Sequence, residues 1–558
     1  MPIRITRVVI MLKLLAFISI TAILHHVTYA QEVLSENTST ALHRGIYEVS
    51  LSASPTDENP YYDIQCTVTF TKPDGTEVQV DGFYDGGISF KARAYCSQLG
   101  VWQWQSSSNN PGLDGREGTF EVLPSDLRGK LRVHPGDPHQ FAYDNGDWFL
   151  HIGDTGYRFV VASEPYWQEY IDQASEMGAT KIRTWFAMDR GTVSNLFTHN
   201  QKDLALYYWK EIERRILYTL HHHSHINLQL IPYAEDTELI RKYSEGNAAA
   251  QLLARYAQAR WSAFPNVQWT ITNDREISRS DSLSGRQVHY ETINQMGRDM
   301  AEREAWGTLL TNHQSRFKGY DHVNEAWSDL ITLEDLDQVG GELILEYRQK
   351  RKQPVLLDED RYELYRYPAH SRYYFRRLMW ASLLSGGHAT YGGLKTYLPY
   401  DGQSYIGNER EVEVRYEPHK GRDYGVSGYF DANRQGILSQ GAHDFRYIHT
   451  FFEQTGLTLV GMLPNDALVG GDPYRWKCAH NDSTYLIYLA NPSGTEPGSD
   501  HPSLEAPTVS MTLPKGIYAP SWFDPDSGTW VYGADSQGGE MTLTAPGPED
   551  WVLLIRKK

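Results

Sequence analysis

Cysteine is scarce, with Cys66, Cys96 and Cys478 the only three in 558 residues. An odd count is no disulfide framework, although Cys66 and Cys96 share one strand-rich region and could pair in an oxidising compartment. No Cys-x-x-Cys and no Cys/His zinc spacing occurs. The run His221, His222, His223 and His225 has no second ligand motif and reads as a solvated turn, so no metal is expected. Three other signatures are missing. There is no Gly-x-Ser-x-Gly nucleophile elbow, no His-Glu-x-x-His helix, and no glycine-rich phosphate loop after the first expected strand. No cofactor is implied. Basic residues are few, 52 against 70 acidic, for a net charge of −18. That balance excludes general nucleic-acid binding, which draws its affinity from basic patches. No long run of like charge marks an interaction tail. With 40% hydrophobic and 22% charged residues, the composition also excludes wholesale disorder, collagen and a polytopic membrane protein.

Aromatics are abundant at 13%, with 15 Trp and 37 Tyr. They fit two uses: filling β-sandwich cores, or lining a groove that stacks on sugar rings. The first thirty residues stand apart. Arg4, Arg7 and Lys13 precede an apolar run from Leu14 to Leu24, and Thr28 and Ala30 place small residues before Gln31. This is the layout of a secretory signal over residues 1–30, cleaved after Ala30. The run is too short to span a bilayer comfortably, so the expected location is secreted or periplasmic with no membrane segment after cleavage. An uncleaved anchor is the alternative.

Residues 31–125 read as an N-terminal β-sandwich, because "IQCTVTF", "GVWQWQSS" and "GTFEVL" are short strands punctuated by Gly/Pro/Asp turns. From 126 to 460 the rhythm changes to apolar strands alternating with longer helical patterns. Strands are expected at 148–153, 180–185, 227–233, 267–273, 308–312, 329–333, 354–357 and 388–391. Eight such units fit a (β/α)8 TIM barrel, an α/β fold; a doubly wound sheet is the rival. Strands return over 461–558, read as a C-terminal β-sandwich.

In such a barrel the working groups sit at the C-terminal ends of strands. Those ends read Gly153-Asp154-Thr155, Arg183-Thr184-Trp185, Tyr233, Asn273-Asp274-Arg275, Asn312-His313, Asp358-Glu359-Asp360 and Tyr391-Gly392, with Glu235 and Asp236 beyond Tyr233. Carboxylates ring one face. Two opposed carboxyl groups are what glycoside hydrolysis needs, one protonated for the leaving oxygen and one ionised as nucleophile or base. Strands four and seven oppose each other, so Asp274 and the triplet after strand seven can flank a bond. Asp274 can also be read as a helix N-cap. Periodicity does not say which member of the triplet faces the site.

Here the chain resembles the apiosidase-like glycoside hydrolases, the group around glycoside hydrolase family 140. "FLHIGDTGYRF", "NVQWTITNDREI", "LLTNHQS", "QPVLLDEDRYE" and "RRLMWASLLSGGHATYGG" are similar to that family's motifs, in order across the barrel. Residues 45–122 resemble the small domain that often precedes such barrels. Residues 463–558 resemble a C-terminal domain often labelled collagen-binding, a label that carries no expectation here. The resemblance implies Asp274 as acid/base and Glu359 as nucleophile, with Asp154, His313, Tyr362 and Glu363 at neighbouring site positions. It also implies retention, with the carboxyl groups about 5–5.5 Å apart. Two departures stand out. Thr-Asn precedes Asp274 where the family usually has Gly-Gly. "ITLEDLDQ" replaces the family's Ser-Gly-His after strand six, which argues for a sugar other than apiose.

Around this pair, Asn273 looks like the first member of an Asn-Glu pair, while Asn324-Glu325 is a decoy that precedes a strand. Trp185, Trp327 and Tyr391 are candidate stacking platforms or packing residues, and Tyr233 is a candidate contact. Arg183, Arg275 and Arg361 either bind an acidic sugar or pair with rim carboxylates. Burial against Trp269 or Trp185 is expected to raise the pKa of Asp274. The expected substrate is a polysaccharide or oligosaccharide, plant or algal, cut by a two-carboxylate mechanism. The competing functions are a non-catalytic carbohydrate-binding or adhesion protein, and a polysaccharide lyase.

Overall fold

The computed structural model describes residues 33–157, 159–160, 164, 166–187, 192–362, 370–393 and 441–558. The leader expected over residues 1–30 and the candidate Glu363 lie outside the described residues. Two compact units divide the chain.

The first unit is built mainly from residues up to 129. It holds a four-stranded sheet ordered 34–36, 46–52, 89–95, 83–86 and a five-stranded sheet ordered 40–42, 117–123, 100–108, 66–71, 77–81. Along Cys66–Thr71 buried and half-buried residues alternate, as a strand with one inward face requires. Tyr47 of the first sheet stacks on Phe120 of the second at 3.6 Å, with Trp102 at 5.8 Å from Phe120. Aromatics here fill a core. Cys66 and Cys96 are buried and free, so the disulfide they could have formed is absent. They pack as small apolar side chains.

The second unit contains the barrel and the C-terminal strands. The barrel strands are β1 (Gly153–Thr155), β2 (Lys181–Trp185), β3 (Asn227–Ile231), β4 (Val267–Thr270), β5 (Leu310–Thr311), β6 (Ile331–Glu334), β7 (Val355–Glu359) and β8 (His388–Tyr391). They pair in parallel in the order β5-β4-β3-β2-β1-β8-β7-β6. Between β5 and β6 the ring is stitched by single bonds. The Asp329 amide donates to the Leu310 carbonyl at 2.9 Å, the Leu310 amide donates to the Asp329 carboxylate at 2.8 Å, and the Thr332 hydroxyl donates to the Asn312 carbonyl.

One strand differs from expectation. Trp148–Phe149 belongs to a three-stranded antiparallel sheet with Phe141–Tyr143 and Leu131–Val133, and β1 begins only at Gly153. The cause is packing: Phe141, Tyr143 and Phe149 cluster with Leu309, Leu330 and Leu356 and close the N-terminal end of the barrel. His151 and His388 lie in this floor, 5.2 Å apart and fully buried. Burial holds both rings neutral, pushing His388 down to about 4.

The helices of this unit are α1 (Tyr166–Glu176), α2 (Leu206–His222), α3 (Thr237–Tyr243), α4 (Ala248–Trp261), α5 (Tyr290–Arg303), α6 (Glu342–Lys350), α7 (Arg372–Leu384) and α8 (Phe445–Thr455). Among the described residues, no helix is long and apolar enough to cross a membrane.

The C-terminal strands form one seven-stranded antiparallel sheet. Its long strand Thr508–Asp524 shifts register between Leu513 and Ile517, pairing first with Ser536–Thr544 and then with Trp551–Lys557 and Thr529–Tyr532. Thr484–Leu489 is buried at every position because both faces are covered. Tyr485, Ile487 and Leu489 pack with Val509, Met511 and Ile555. Leu486 and Tyr488 pack with Trp380 of α7 and Phe451 and Phe452 of α8. Arg376 of α7 clamps Asp550 through Nε at 2.9 Å and through Nη2, and the Tyr488 hydroxyl donates to the same carboxylate at 2.7 Å.

Candidate active site

The triplet after β7 resolves into three environments. In the pairing of β6 with β7, Leu333 faces Leu357 but Glu334 faces Glu359, leaving Asp358 as the extra residue of a bulge. Bulges of this kind re-aim side chains beside active sites. The Asp358 carboxylate turns into the barrel, where Lys181 pairs with it, the Thr390 hydroxyl donates at 2.6 Å and the Gln229 amide at 2.9 Å. Burial alone would raise its pKa, but Lys181 and Arg183 outweigh burial and hold it far below the usual range. Asp360 points outward to the Tyr374 hydroxyl of α7 at 2.6 Å and accepts backbone amides of Asp337, Gln338 and Arg361. Glu359 alone of the three stands on the rim, accepting the Tyr157 hydroxyl at 2.8 Å and Arg183 Nη1 at 3.0 Å.

Opposite it, after β4, Asp274 adopts a left-handed backbone with φ of +49°. Asp and Asn tolerate that region better than longer side chains do. Its Oδ1 lies 3.1 Å from His313 Nδ1 and 3.9 Å from Arg183 Nη2. Arg183, fully buried, thus faces Asp358, Glu359 and Asp274 together. Burial pushes Asp274 up, but His313, Arg183 and Arg275 outweigh it and hold the carboxyl down at about 2. The expected upward shift is therefore reversed. Neither tryptophan drives it: Trp269 turns to Glu304 at 3.3 Å, and Trp185 stacks on Tyr157 at 4.4 Å.

Two further carboxyl groups complete the rim. Glu334, ending β6, accepts Arg316 Nη2 at 2.8 Å on Oε1, while its buried Oε2 has no hydrogen-bond partner. Burial, then Glu359 and Asp274, push its pKa up to about 10. Glu235 is bonded to Arg275 at 3.1 Å and to Asn273 at 3.3 Å. Burial and Asp274 push it to about 7.

The structure brings Asp274, Glu359, Arg183, Asn273, Arg275 and His313 into one constellation. Asn273 accepts Arg183 Nη2, and Arg275 braces Glu235. Asp154 does not join them: it pairs with Ile182 across from β2 and turns to α1, where the Tyr170 hydroxyl donates to it at 2.6 Å and burial pushes it to about 6. Tyr362 bridges the backbone to Gly392. Trp185 is 3% exposed and backs Tyr157, so its face is not open to a sugar.

Three candidates lie elsewhere. The Tyr233 hydroxyl donates to the Ala250 carbonyl of α4 at 2.7 Å. Trp327 donates to Asn294 of α5 at 2.7 Å. Tyr391 is enclosed by Phe375 and Phe445. In each case the ring packs against helix rather than facing the mouth. Arg361 pairs with Asp337 at 2.7 Å. Sequence reasoning missed Tyr157, Arg316 and Glu334. The first two sit in loops past their strands, and the bulge in β7 that sets Glu359 opposite Glu334 leaves no mark on hydrophobic periodicity.

Among the described residues, the grouping able to hold a cation is Asp274, His313, Glu334 and Glu359, whose nearest ligand atoms all lie within 4.8 Å of one another. The donor set is chemically suitable, but the Arg183 guanidinium already supplies positive charge 3.0 Å from Glu359. It competes with a cation for the same oxygens. His223 pairs with Asp172 at 2.6 Å, and His225 sits 3.1 Å from Ser175.

Comparison with known proteins agrees with this geometry. Residues 137–458 match the family described as apiosidase-like, catalytic domain. Residues 45–109 match a domain of unknown function, DUF5060. No curated protein matches in sequence. Among solved structures, a Bacteroides vulgatus protein assigned to the glycoside hydrolases is similar over 93% of this chain and 100% of its own, at 17% identity and a TM-score of 0.70. A Bacteroides vulgatus family 5 glycoside hydrolase is similar over 77% of this chain and 94% of its own, at 14% identity and a TM-score of 0.59. These likenesses show the fold. The family match spans more than half of the chain, and the chain therefore belongs to the apiosidase-like family and is a glycoside hydrolase.

Proposed function

We propose that the protein is an exported, retaining glycosidase that cuts a plant or algal polysaccharide with Asp274 and Glu359. The observation that carries this reading is their spacing. They follow opposed strands, β4 and β7, and an oxygen of one lies within 4.8 Å of an oxygen of the other. Retaining enzymes hold their carboxyl groups about 5–5.5 Å apart, whereas inverting enzymes leave about 6.5–9.5 Å for a water. Glu359, oriented by Tyr157 and Arg183, attacks the anomeric carbon. The bond to the leaving oxygen breaks as that oxygen takes a proton from Asp274, leaving a glycosyl ester on Glu359. Asp274 then takes a proton from water, whose oxygen displaces Glu359. Asp274 must gain its proton as sugar binds. A bound sugar deepens its burial, which favours the neutral form.

One observation favours a second assignment of the acid. Burial and Asp274 push Glu235 up to about 7, where an acid working at neutral pH needs to be. Aryl glycosides with a good leaving group separate the two, because loss of the true acid spares the first step on them. That sparing in E235Q and not in D274N would move the role to Glu235.

The main test is reducing-sugar release from arabinan, galactan, other pectic side chains and sulfated algal galactans, with NMR of the first-formed anomer. Release lost in D274N and E359Q, with the anomeric configuration kept, supports the reading. An inverted anomer sinks retention. Export rests on the leader-like residues 1–30 and predicts a mature N-terminus at Gln31.

A further inference from the structure

The two-carboxylate mechanism leaves two rim carboxyl groups unused, Glu235, both of whose oxygens are bonded, and Glu334. Glu334 is 4% exposed and stands beside Glu359 because the β7 bulge removes Asp358 from the ladder between them. Arg316 holds Oε1 at 2.8 Å, which fixes the direction of the other oxygen. Oε2 is buried and has no hydrogen-bond partner, and a carboxylate oxygen of Glu334 belongs to the group gathered within 4.8 Å with Asp274, His313 and Glu359. Both ring nitrogens of His313, also fully buried, lack a well-aligned hydrogen bond there. Buried polar atoms are normally satisfied, so an orphan oxygen at the rim of a site is open to a partner that a bound sugar can supply. Three carboxyl groups this close do not all ionise. Burial and its two carboxylate neighbours keep the proton on Glu334, with a pKa of about 10. A group that weak is a poor proton donor in catalysis at neutral pH, but a good hydrogen-bond donor.

We propose that Glu334 is a sugar-binding carboxyl of this site, its Oε2 donating a hydrogen bond to the glycone hydroxyl beside the anomeric carbon that Glu359 attacks. This rests on the two-carboxylate reading above. It also sets the class of glycone: an uncharged sugar with a hydroxyl at that carbon. A carboxylate or sulfate there would meet the ionised Glu359 and be repelled.

The test compares E334A and E334Q with the wild type on whichever of the polysaccharides above the wild type cleaves. It is run in parallel by affinity electrophoresis in gels cast with arabinan or with galactan. E334A is expected to lower kcat/KM about 10- to 100-fold. E334Q should recover all but about fivefold, because its amide still donates. The wild-type kcat/KM should fall on the alkaline limb as Glu334 ionises, and that limb should be missing in E334Q. In the gels, E334A should lose retardation and E334Q keep it. The inference is overturned by E334A within threefold of wild type, by E334Q no better than E334A at unchanged Tm, or by the same alkaline limb in both proteins. Should E334A fail to fold, E334Q and its pH profile still decide. Full activity in D274N and E359Q would sink the two-carboxylate reading instead. The gels would then judge Glu334 separately, with no retardation of the wild type in either counting against it.

Discussion

Asp358 and Glu359 are neighbours in the chain, both buried, both touched by Arg183, and they do different work. Asp358 lies one layer down inside the barrel, where Lys181, Thr390 and Gln229 satisfy both of its oxygens. Glu359 lies in the rim layer, where Asp274, Glu334 and His313 crowd it with atoms that lack aligned partners. Burial and charge do not separate the two layers. Satisfaction does: a closed network holds the fold, and an open one waits for substrate.

The sharpest test exchanges charge for shape in each layer. E359Q should lower kcat by at least about 10³-fold with Tm unchanged or raised, and D274N should lower kcat by about 10²- to 10⁴-fold. Both follow from turnover assays beside thermal unfolding. A fall in Tm in E359Q would break the comparison. D358A should do the reverse, costing about 3–5 kcal/mol of stability because Lys181 is left buried without its partner. Urea unfolding measures this. The deficit should be full near pH 7. Because the folded pKa of Asp358 lies below the unfolded value of about 3.9, the stability it contributes is lost as the pH falls below that value.

E334Q sharpens the comparison from the rim. Glu334 has a folded pKa of about 10 against an unfolded value of about 4.3. Above pH 4.3 the unfolded chain releases this proton while the folded chain keeps it, so the wild type loses stability as the pH rises toward 10. The Tm advantage of E334Q should grow between pH 5 and pH 9, and a constant difference would contradict the assignment. The smallest effect belongs to T390V. It removes one of several bonds to Asp358 and should cost about 1 kcal/mol, with kcat/KM within about twofold of wild type.

Much of this was legible beforehand. Seven barrel strands fall where apolar runs bounded by turn residues place them, because parallel strands buried on both faces read as continuous apolar segments. The first was displaced because "WF" packs equally well in a floor sheet, and only the tertiary partners Leu309, Leu330 and Leu356 decide between the two. Of the candidates read from the sequence, the structure gathers Asn273-Asp274, His313 and Glu359 at the rim. Tyr233 and Tyr391 at strand ends, and Trp327 ahead of β6, turn to the helix layer, which residue type alone does not tell from the mouth. The pairing of Glu334 with Glu359 was hidden by a one-residue bulge in β7, which shifts register without changing composition.

The C-terminal sheet offers a last consequence. Its strand Thr484–Leu489 serves two cores at once, and Arg376 of the barrel is satisfied by a carboxylate near the end of the chain. Such a sheet is no detachable accessory. Its removal would strip Trp380, Phe451 and Phe452 of their cover and open part of the barrel's own core to water.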